Sequence, residues 1–127
     1  MGLQMILENV IIKMIDLVED NMKVTVIGIG FVGLVNAIGF AAKGHEVFAL
    51  DPDKKKIAAL RRNETTFKEY KLEEELVKYS DRIRFTSEFR DAVYKANMLV
   101  ICNEVFELEP GKCDLTGFYV TLKECCR

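Results

Sequence analysis

The sequence predicts an α/β fold, in which a parallel sheet of about four strands has helices on both faces and follows an amphipathic helix. Short runs of β-branched residues alternate with segments whose apolar residues have helical spacing, which is the order of a parallel sheet with right-handed crossovers. A glycine-rich turn joins the first strand to the next helix. Half of the 127 residues are hydrophobic and 30% are charged, as in an ordinary globular domain.

The chain is expected to divide into an N-terminal extension, residues 1–21, and a domain over residues 22–127. Apolar residues recur at helical spacing along the extension, at Leu3, Leu7, Val10, Met14 and Leu17. Such a face is buried either against the domain's own sheet or against a second copy of the chain. The spacing is close to a heptad, which favours helix pairing, so the sequence predicts a homodimer held by this helix.

The extension has the features of neither a signal peptide nor a membrane span. Lys13 is the only cation before Lys23, whereas a signal peptide begins with a basic region. Glu8 interrupts the apolar run, and no stretch reaches the roughly 18 apolar residues of a membrane span. We therefore expect a cytoplasmic protein that does not bind membranes.

The first half of the domain is predicted to alternate strand and helix. The two predicted strands are short apolar runs, the first of them rich in β-branched residues. Gly44 is a typical helix terminator, and Pro52 suits the start of a helix. In chain order the elements are a strand over Lys23 to Ile29, a helix over Val32 to Ala42, a strand over Glu46 to Leu50 and a helix over Lys54 to Arg62.

The second half is predicted to continue the alternation after the highly charged segment 63–81. Ser87 is a candidate helix cap, and Pro110-Gly111 marks a turn. In chain order the elements are a helix over Leu72 to Tyr79, a strand over Arg82 to Thr86, a helix from Ser87 through Lys95, a strand over Met98 to Cys102, a loop over Asn103 to Cys113 and a last helix from Asp114 almost to Arg127.

The turn after the first strand has the spacing G-x-G-x-x-G, at Gly28, Gly30 and Gly33. In such a turn the first glycine permits the tight bend, the second lets the backbone approach a phosphate, and the third lets helix and strand pack closely. The helix N-terminus adds free N–H groups and partial positive charge, which suit the pyrophosphate of a dinucleotide. These features predict a Rossmann-like nucleotide-binding unit.

Asp51 ends the second predicted strand, near the expected distance of about 20 residues from the turn. A carboxylate at this position accepts hydrogen bonds from both ribose hydroxyls and repels the 2′-phosphate of NADP. The sequence therefore predicts NAD as the cofactor. The competing interpretation is that the glycines only shape a turn in a domain without a ligand, which leaves Asp51 unexplained.

Residues 22 to about 123 resemble the N-terminal NAD-binding domain of the UDP-glucose/GDP-mannose dehydrogenase family. Residues 22–34 read MKVTVIGIGFVGL, where the family typically shows M-K-I-x-V-I-G-x-G-Y/F-V-G-L. Similar segments follow at Gly44 to Val47, Asp51 to Asp53, Lys56-Ile57, Arg82 to Thr86 and Asp114-Leu115. The resemblance implies that the cofactor site contains the three glycines together with Phe31, Val32, Asp51, Lys56 and Thr86. From the residues alone, the cofactor role is no better supported than a plain structural one, in which Lys56 is a surface charge and Thr86 a hydroxyl at the end of a strand.

The chain also departs from the family pattern. The family's Thr-Pro pair after the fourth strand aligns with Val105-Phe106, which implies the loss of a polar contact toward the nicotinamide. Its Tyr-Glu-Pro-Gly segment aligns with residues 68–71, which keep only Glu69. The family's second half, with the dimerising helix, the substrate domain and the catalytic cysteine, has no counterpart here. We therefore expect no dehydrogenase activity from this chain alone, and a separate chain is one possible source of the substrate domain.

Charge and cysteine spacing argue against other kinds of partner. The net charge is −2 and no stripe of basic and aromatic residues is present, so nucleic acid is not expected to bind. The cysteines lack the paired spacing of metal ligands, and His45 is the only histidine. Inert packing is the expected role of all of them, Cys102, Cys113, Cys125 and Cys126.

Three functions remain open from the sequence. The first is the NAD-binding domain of a nucleotide-sugar dehydrogenase, which the Gly-Phe-Val-Gly-Leu element and residues 84–86 favour. The second is a stand-alone nucleotide sensor like the regulatory domains of potassium channels, which share the length, the glycine turn and the acidic end of the second strand. The third is a structural module without a ligand.

Overall fold

The structure is a computed structural model that describes residues 21–65 and 67–127. These residues form a four-stranded parallel sheet of β1 (Lys23–Ile27), β2 (Glu46–Leu50), β3 (Ile83–Thr86) and β4 (Met98–Ile101). The accompanying helices are α1 (Phe31–Ala42), α2 (Lys54–Arg61), α3 (Leu72–Tyr79), α4 (Phe89–Tyr94) and α5 (Thr116–Cys125). The predicted N-terminal helix, and the dimer contact assigned to it, lie outside the described residues.

The strand order is β3-β2-β1-β4, so β1 lies inside the sheet between β2 and β4. In this register Thr25 of β1 stands opposite Phe48 of β2 and Leu99 of β4. Successive strands run outward from β1 to β3, and the chain then crosses to the other side of β1 to form β4. This reversal is the switch point at which parallel α/β sheets open a ligand crevice beyond the carboxyl ends of their strands.

Helices cover both faces of the sheet, as predicted. On one face, Val24 and Val26 of β1 share a buried cluster with Leu34 of α1, to which α2 and α3 also contribute. On the opposite face a smaller cluster joins Ile27 of β1 to Ala92 of α4. The alternation of side chains between the faces follows the two-residue period of a strand, and both faces of β1 are buried. The Rossmann-like fold class is therefore confirmed for the described residues.

The predicted bounds of β2 and α3 agree with the structure. The predicted end of this structure's α1 is also correct, since Ala42 is its last residue. Gly44 follows in the left-handed conformation, with φ of +96°. The first strand ends at Ile27 rather than Ile29, because Gly28 with φ of +88° turns the chain out of the sheet. Smaller shifts move the start of α1 to residue 31, the end of α2 to residue 61, the start of β3 to residue 83 and the end of β4 to residue 101.

The predicted helix start at Ser87 is wrong. Helix α4 begins at Phe89, and Glu88 occupies its N-cap position without a side-chain cap. The hydroxyl of Thr86 accepts the Glu88 N–H at 3.0 Å, so a threonine at the strand end holds this turn. At α2 the cap is Asp53, whose carboxylate accepts from two backbone N–H groups, and Pro52 precedes the cap.

The loop predicted over residues 103–113 is also corrected by the structure. It contains an antiparallel hairpin of β5 (Phe106–Glu109) and β6 (Lys112–Asp114), with the turn at Pro110-Gly111 as predicted. The run from Phe106 to Glu109 does alternate apolar and charged residues, but it has only four residues, and every one of them is exposed. The last helix begins at Thr116 rather than Asp114, because the Asp114 carboxylate accepts the Thr116 N–H at 3.0 Å.

Burial divides the cysteines into two pairs. Cys113 and Cys126 are exposed, so the prediction of inert packing is wrong for them. Cys102 and Cys125 are half-buried, and burial raises the pKa of both thiols, which lowers their thiolate content at neutral pH. Across residues 21–65 and 67–127, no helix is both long and apolar enough to cross a membrane.

Candidate nucleotide-binding site

The glycine turn and the predicted polar residues meet at the carboxyl edge of the sheet. The Gly28 N–H donates to the Leu50 carbonyl at 2.8 Å, and the Ile29 N–H donates to the Asp51 carboxylate at 2.9 Å. The Asp51 N–H in turn donates to the Thr86 carbonyl at 3.1 Å. These bonds tie together the ends of β1, β2 and β3, so the turn, the carboxylate and Thr86 lie side by side.

Two of the three glycines are required by the fold itself. Gly28 has φ of +88°, and a Cβ on it would lie 2.9 Å from the Cys102 carbonyl oxygen. A Cβ on Gly33 would overlap the Gly28 carbonyl oxygen, because α1 approaches the turn too closely to admit a side chain there. At both positions a larger residue forces backbone to move.

Gly30 differs from the other two. Its backbone is extended, with φ of −80° and ψ of −161°, a conformation open to any residue. The three atoms nearest to a Cβ built on it all belong to the flexible side chain of Glu104, the nearest being Oε1 at 3.2 Å. The fold therefore does not require glycine at residue 30, and a Cβ would fill the space that lies over the turn.

The first turn of α1 has neither a side-chain cap nor an acidic residue of its own, and its N-cap is Gly30. The free N–H groups and the partial positive charge of a helix N-terminus attract anions. Val32 is exposed in this first turn, whereas the ring of Phe31 packs edge-to-face on Phe67 at 5.8 Å. The backbone of Phe31 is therefore part of the turn, whereas its ring packs at the edge of the core.

The Asp51 carboxylate is buried and held by three hydrogen bonds. Its Oδ2 accepts from the Ile29 N–H at 2.9 Å and from Lys56 Nζ at 3.1 Å, and its Oδ1 accepts from the Asp53 N–H at 2.9 Å. Lys56 thus neutralises the carboxylate from the first turn of α2. A carboxylate has about four acceptor sites, so about one site, on Oδ1, remains for a hydroxyl group of a ligand.

Sequence reasoning missed two features near the turn. One is Glu104. It follows β4 at the carboxyl edge of the sheet, where ligands of such folds bind, and that position is what could have indicated it from the sequence. The other is a pair of buried amide oxygens, Oδ1 of Asn36 and Oδ1 of Asn103, which have no partner among the described residues. Val105 and Phe106, which replace the family's Thr-Pro pair, are both exposed at the start of the hairpin.

A profile of the UDP-glucose/GDP-mannose dehydrogenase family, NAD binding domain, matches residues 22–125. The chain belongs to this family. It is 33% identical over 106 residues to the UDP-glucose 6-dehydrogenase of Rhizobium meliloti (strain 1021). The aligned segment covers 81% of this chain and 24% of that protein. It is 35% identical over 81 residues to the UDP-glucose 6-dehydrogenase of Campylobacter jejuni, which covers 63% of this chain and 21% of that protein.

Solved structures of the family share the fold. A UDP-glucose dehydrogenase from Pyrobaculum islandicum superposes with a TM-score of 0.79 at 28% identity, covering 84% of this chain and 25% of that one. A ternary complex of GDP-mannose dehydrogenase from Pseudomonas aeruginosa gives a TM-score of 0.77, also at 28% identity, covering 82% of this chain and 24% of that one. This chain therefore spans about a quarter of the length of these relatives and corresponds to their NAD-binding domain.

Proposed function

We propose that this domain binds NAD across the carboxyl edge of its sheet, with the pyrophosphate over Gly30 and the adenosine ribose at Asp51. The observation that carries the proposal is the absence of a side chain at residue 30, where the backbone is extended and no backbone atom is among the three nearest neighbours of a built Cβ. The fold leaves glycine unexplained at this position. A pyrophosphate that must approach the backbone explains it.

In this proposal the N–H groups of the first turn of α1 hold the pyrophosphate, and Asp51 accepts from a ribose hydroxyl. Val32, Lys56 and Thr86 flank the adenosine, and Phe31 contributes backbone. Asp51 also favours NAD over NADP, because its free acceptor site takes a hydrogen from a 2′-hydroxyl, whereas a 2′-phosphate has none to donate to it. Bound NAD would supply the hydride acceptor of a dehydrogenase.

We further propose that the domain serves a nucleotide-sugar dehydrogenase whose substrate groups lie on a separate domain or a separate chain. The relatives named above are UDP-glucose and GDP-mannose dehydrogenases, and this chain matches about a quarter of each. The domain alone is then a cofactor-binding unit without turnover, located in the cytoplasm. Self-association through residues 1–21 belongs to the same proposal.

The test is titration calorimetry of the full chain with NAD, ADP-ribose, NADP and ATP. We expect NAD and ADP-ribose to bind and NADP to bind more weakly.

Gly30→Val should abolish NAD binding while the melting temperature stays near that of the wild type, because the extended backbone admits a branched residue. Gly117→Ala, a glycine in α5 whose built Cβ makes only an ordinary contact at 3.9 Å, is the control for binding. A wild-type protein that gives no heat with millimolar NAD contradicts the proposal, and a preference for ATP favours a nucleotide sensor.

A further inference from the structure

A carboxylate of the chain itself lies over the phosphate-binding turn. The three atoms nearest to a Cβ built on Gly30 are the Oε1, Cγ and Cδ atoms of Glu104, at 3.2, 3.9 and 4.0 Å. Glu104 lies just after β4, beside the switch point of the sheet. Its carboxylate therefore occupies the side of Gly30 that the pyrophosphate of a dinucleotide would approach.

Nothing in the described part of the chain holds this carboxylate in place. Glu104 is exposed, and no hydrogen bond or ion pair of its side chain occurs within residues 21–65 and 67–127. By contrast, in the hairpin that follows, Glu107 accepts from the Gly111 N–H and Glu109 pairs with Lys112. Glu104 is thus free to move aside without losing a bond, but its charge stays close to the turn.

We propose that Glu104 is an internal competitor of the pyrophosphate, and that its negative charge lowers the affinity of the site for dinucleotides. The proposal rests on the proposed function, since it concerns the same site. Two effects act together: the carboxylate sits in the favourable field of the α1 N-terminus, and it repels a dianionic pyrophosphate that arrives there. The penalty is electrostatic, so it should weaken as salt screens the charges.

The test compares wild type with Glu104→Gln, which keeps the size of the side chain and removes its charge. NAD and ADP-ribose are titrated at ionic strengths of about 0.01 M and about 1 M, where the Debye length is about 30 Å and 3 Å. We expect the variant to bind both ligands about tenfold more tightly at low salt. This factor corresponds to the repulsion energy of like charges a few ångströms apart in water. At high salt the gain should fall to about threefold or less.

Two controls isolate the site. Adenosine, which has no phosphate, should bind equally to wild type and Glu104→Gln. Glu46→Gln removes an exposed charge at the amino end of β2, the opposite edge of the sheet, and should leave NAD affinity unchanged.

Each outcome has a definite meaning. If wild type binds NAD and Glu104→Gln binds no more tightly, Glu104 is not a competitor while the site assignment stands. An equal gain with adenosine, with Glu46→Gln or at high salt also overturns the proposal, because the effect is then not local repulsion of the pyrophosphate. If neither protein binds NAD or ADP-ribose, the proposed function itself fails.

Discussion

At the scale of single residues, the fold requires glycine at two of the three glycine positions of the turn. Gly28 and Gly33 are glycines because backbone atoms of residues 102 and 28 occupy the space of a side chain. Gly30 has no such neighbour. The G-x-G-x-x-G spacing predicts a separate role for each glycine from the sequence, and the packing agrees for the two structural ones, Gly28 and Gly33.

Gly33→Ala should destabilise the protein strongly. The new Cβ would overlap the Gly28 carbonyl oxygen, so α1 must shift away from β1 and disturb the larger core. We expect a loss of about 3 kcal/mol in the free energy of unfolding, the upper end of the usual cost of overpacking. Urea unfolding followed by circular dichroism measures this loss, and Gly117→Ala in α5 should show none. A Gly33→Ala protein as stable as the wild type would contradict the close approach of α1 to the turn.

Asp51 has a second role that its sequence position did not reveal. The spacing predicts a ribose acceptor, but the carboxylate also accepts from the Ile29 and Asp53 N–H groups and pairs with Lys56. The Ile29 partner is separated from it by 22 positions in the chain, so this contact follows from strand pairing rather than from local sequence. Glu104 escaped prediction for the same reason, since only the sheet order brings it to Gly30.

Asp51→Ala should therefore lose both NAD affinity and stability. We expect binding to weaken by about 1–3 kcal/mol through the loss of a charged acceptor, and the melting temperature to fall because buried N–H groups lose their partner. Calorimetry and thermal unfolding of the same preparations measure the two effects. Asp114→Ala is the matched control, because its carboxylate also accepts a backbone N–H, that of Thr116, and has no part in the proposed site. Unchanged NAD affinity in Asp51→Ala would remove this residue from the site.

At the scale of elements, buried segments were predicted well and exposed ones poorly. The bounds of β2 and α3 follow from apolar patterning, because each element buries a defined face in the larger core. Hairpin β5–β6 was missed although Phe106 to Glu109 alternate apolar and charged residues before the Pro110-Gly111 turn, because a run of four exposed residues is too short to separate a strand from a loop. The start of α4 was misplaced because Thr86, and not Ser87, accepts the N–H group at the turn.

The cap of α2 gives the element-scale prediction. The Asp53 carboxylate accepts from the Lys55 N–H at 3.0 Å and the Lys56 N–H at 3.1 Å, which satisfies two of the free donors at the helix start. Asp53→Ala should cost about 1 kcal/mol in the free energy of unfolding, and Asp53→Asn should cost less because asparagine also caps well. Urea titration of the two variants measures the difference. Equal losses would show that the cap contributes through its charge rather than through these hydrogen bonds.

At the scale of the whole molecule, the fold class follows from the sequence but the exposed surface does not. Alternating strands and helices predict a parallel sheet, and the parallel pairing of β1 with β2 and β4 confirms it. The surface nevertheless carries large exposed apolar side chains near its C-terminal end, on β5 and α5: Phe106, Leu108, Tyr119 and Val120. Phe106 and Leu108 are two positions apart on β5, so they share one face of the strand, and exposed apolar patches often meet another protein surface. This face therefore competes with residues 1–21 as the origin of any self-association.

The last prediction separates these two origins. The near-heptad spacing from Leu3 to Leu17 predicts that residues 1–21 pair with a second copy, so the full chain should have about twice its 14.5 kDa mass by light scattering. Deleting residues 1–21 should yield a monomer, whereas replacing both Phe106 and Leu108 with serine should leave the dimer intact. A full chain that is monomeric at high micromolar concentration rejects the dimer. A deletion variant that stays dimeric, together with a serine variant that dissociates, assigns the contact to the hairpin instead.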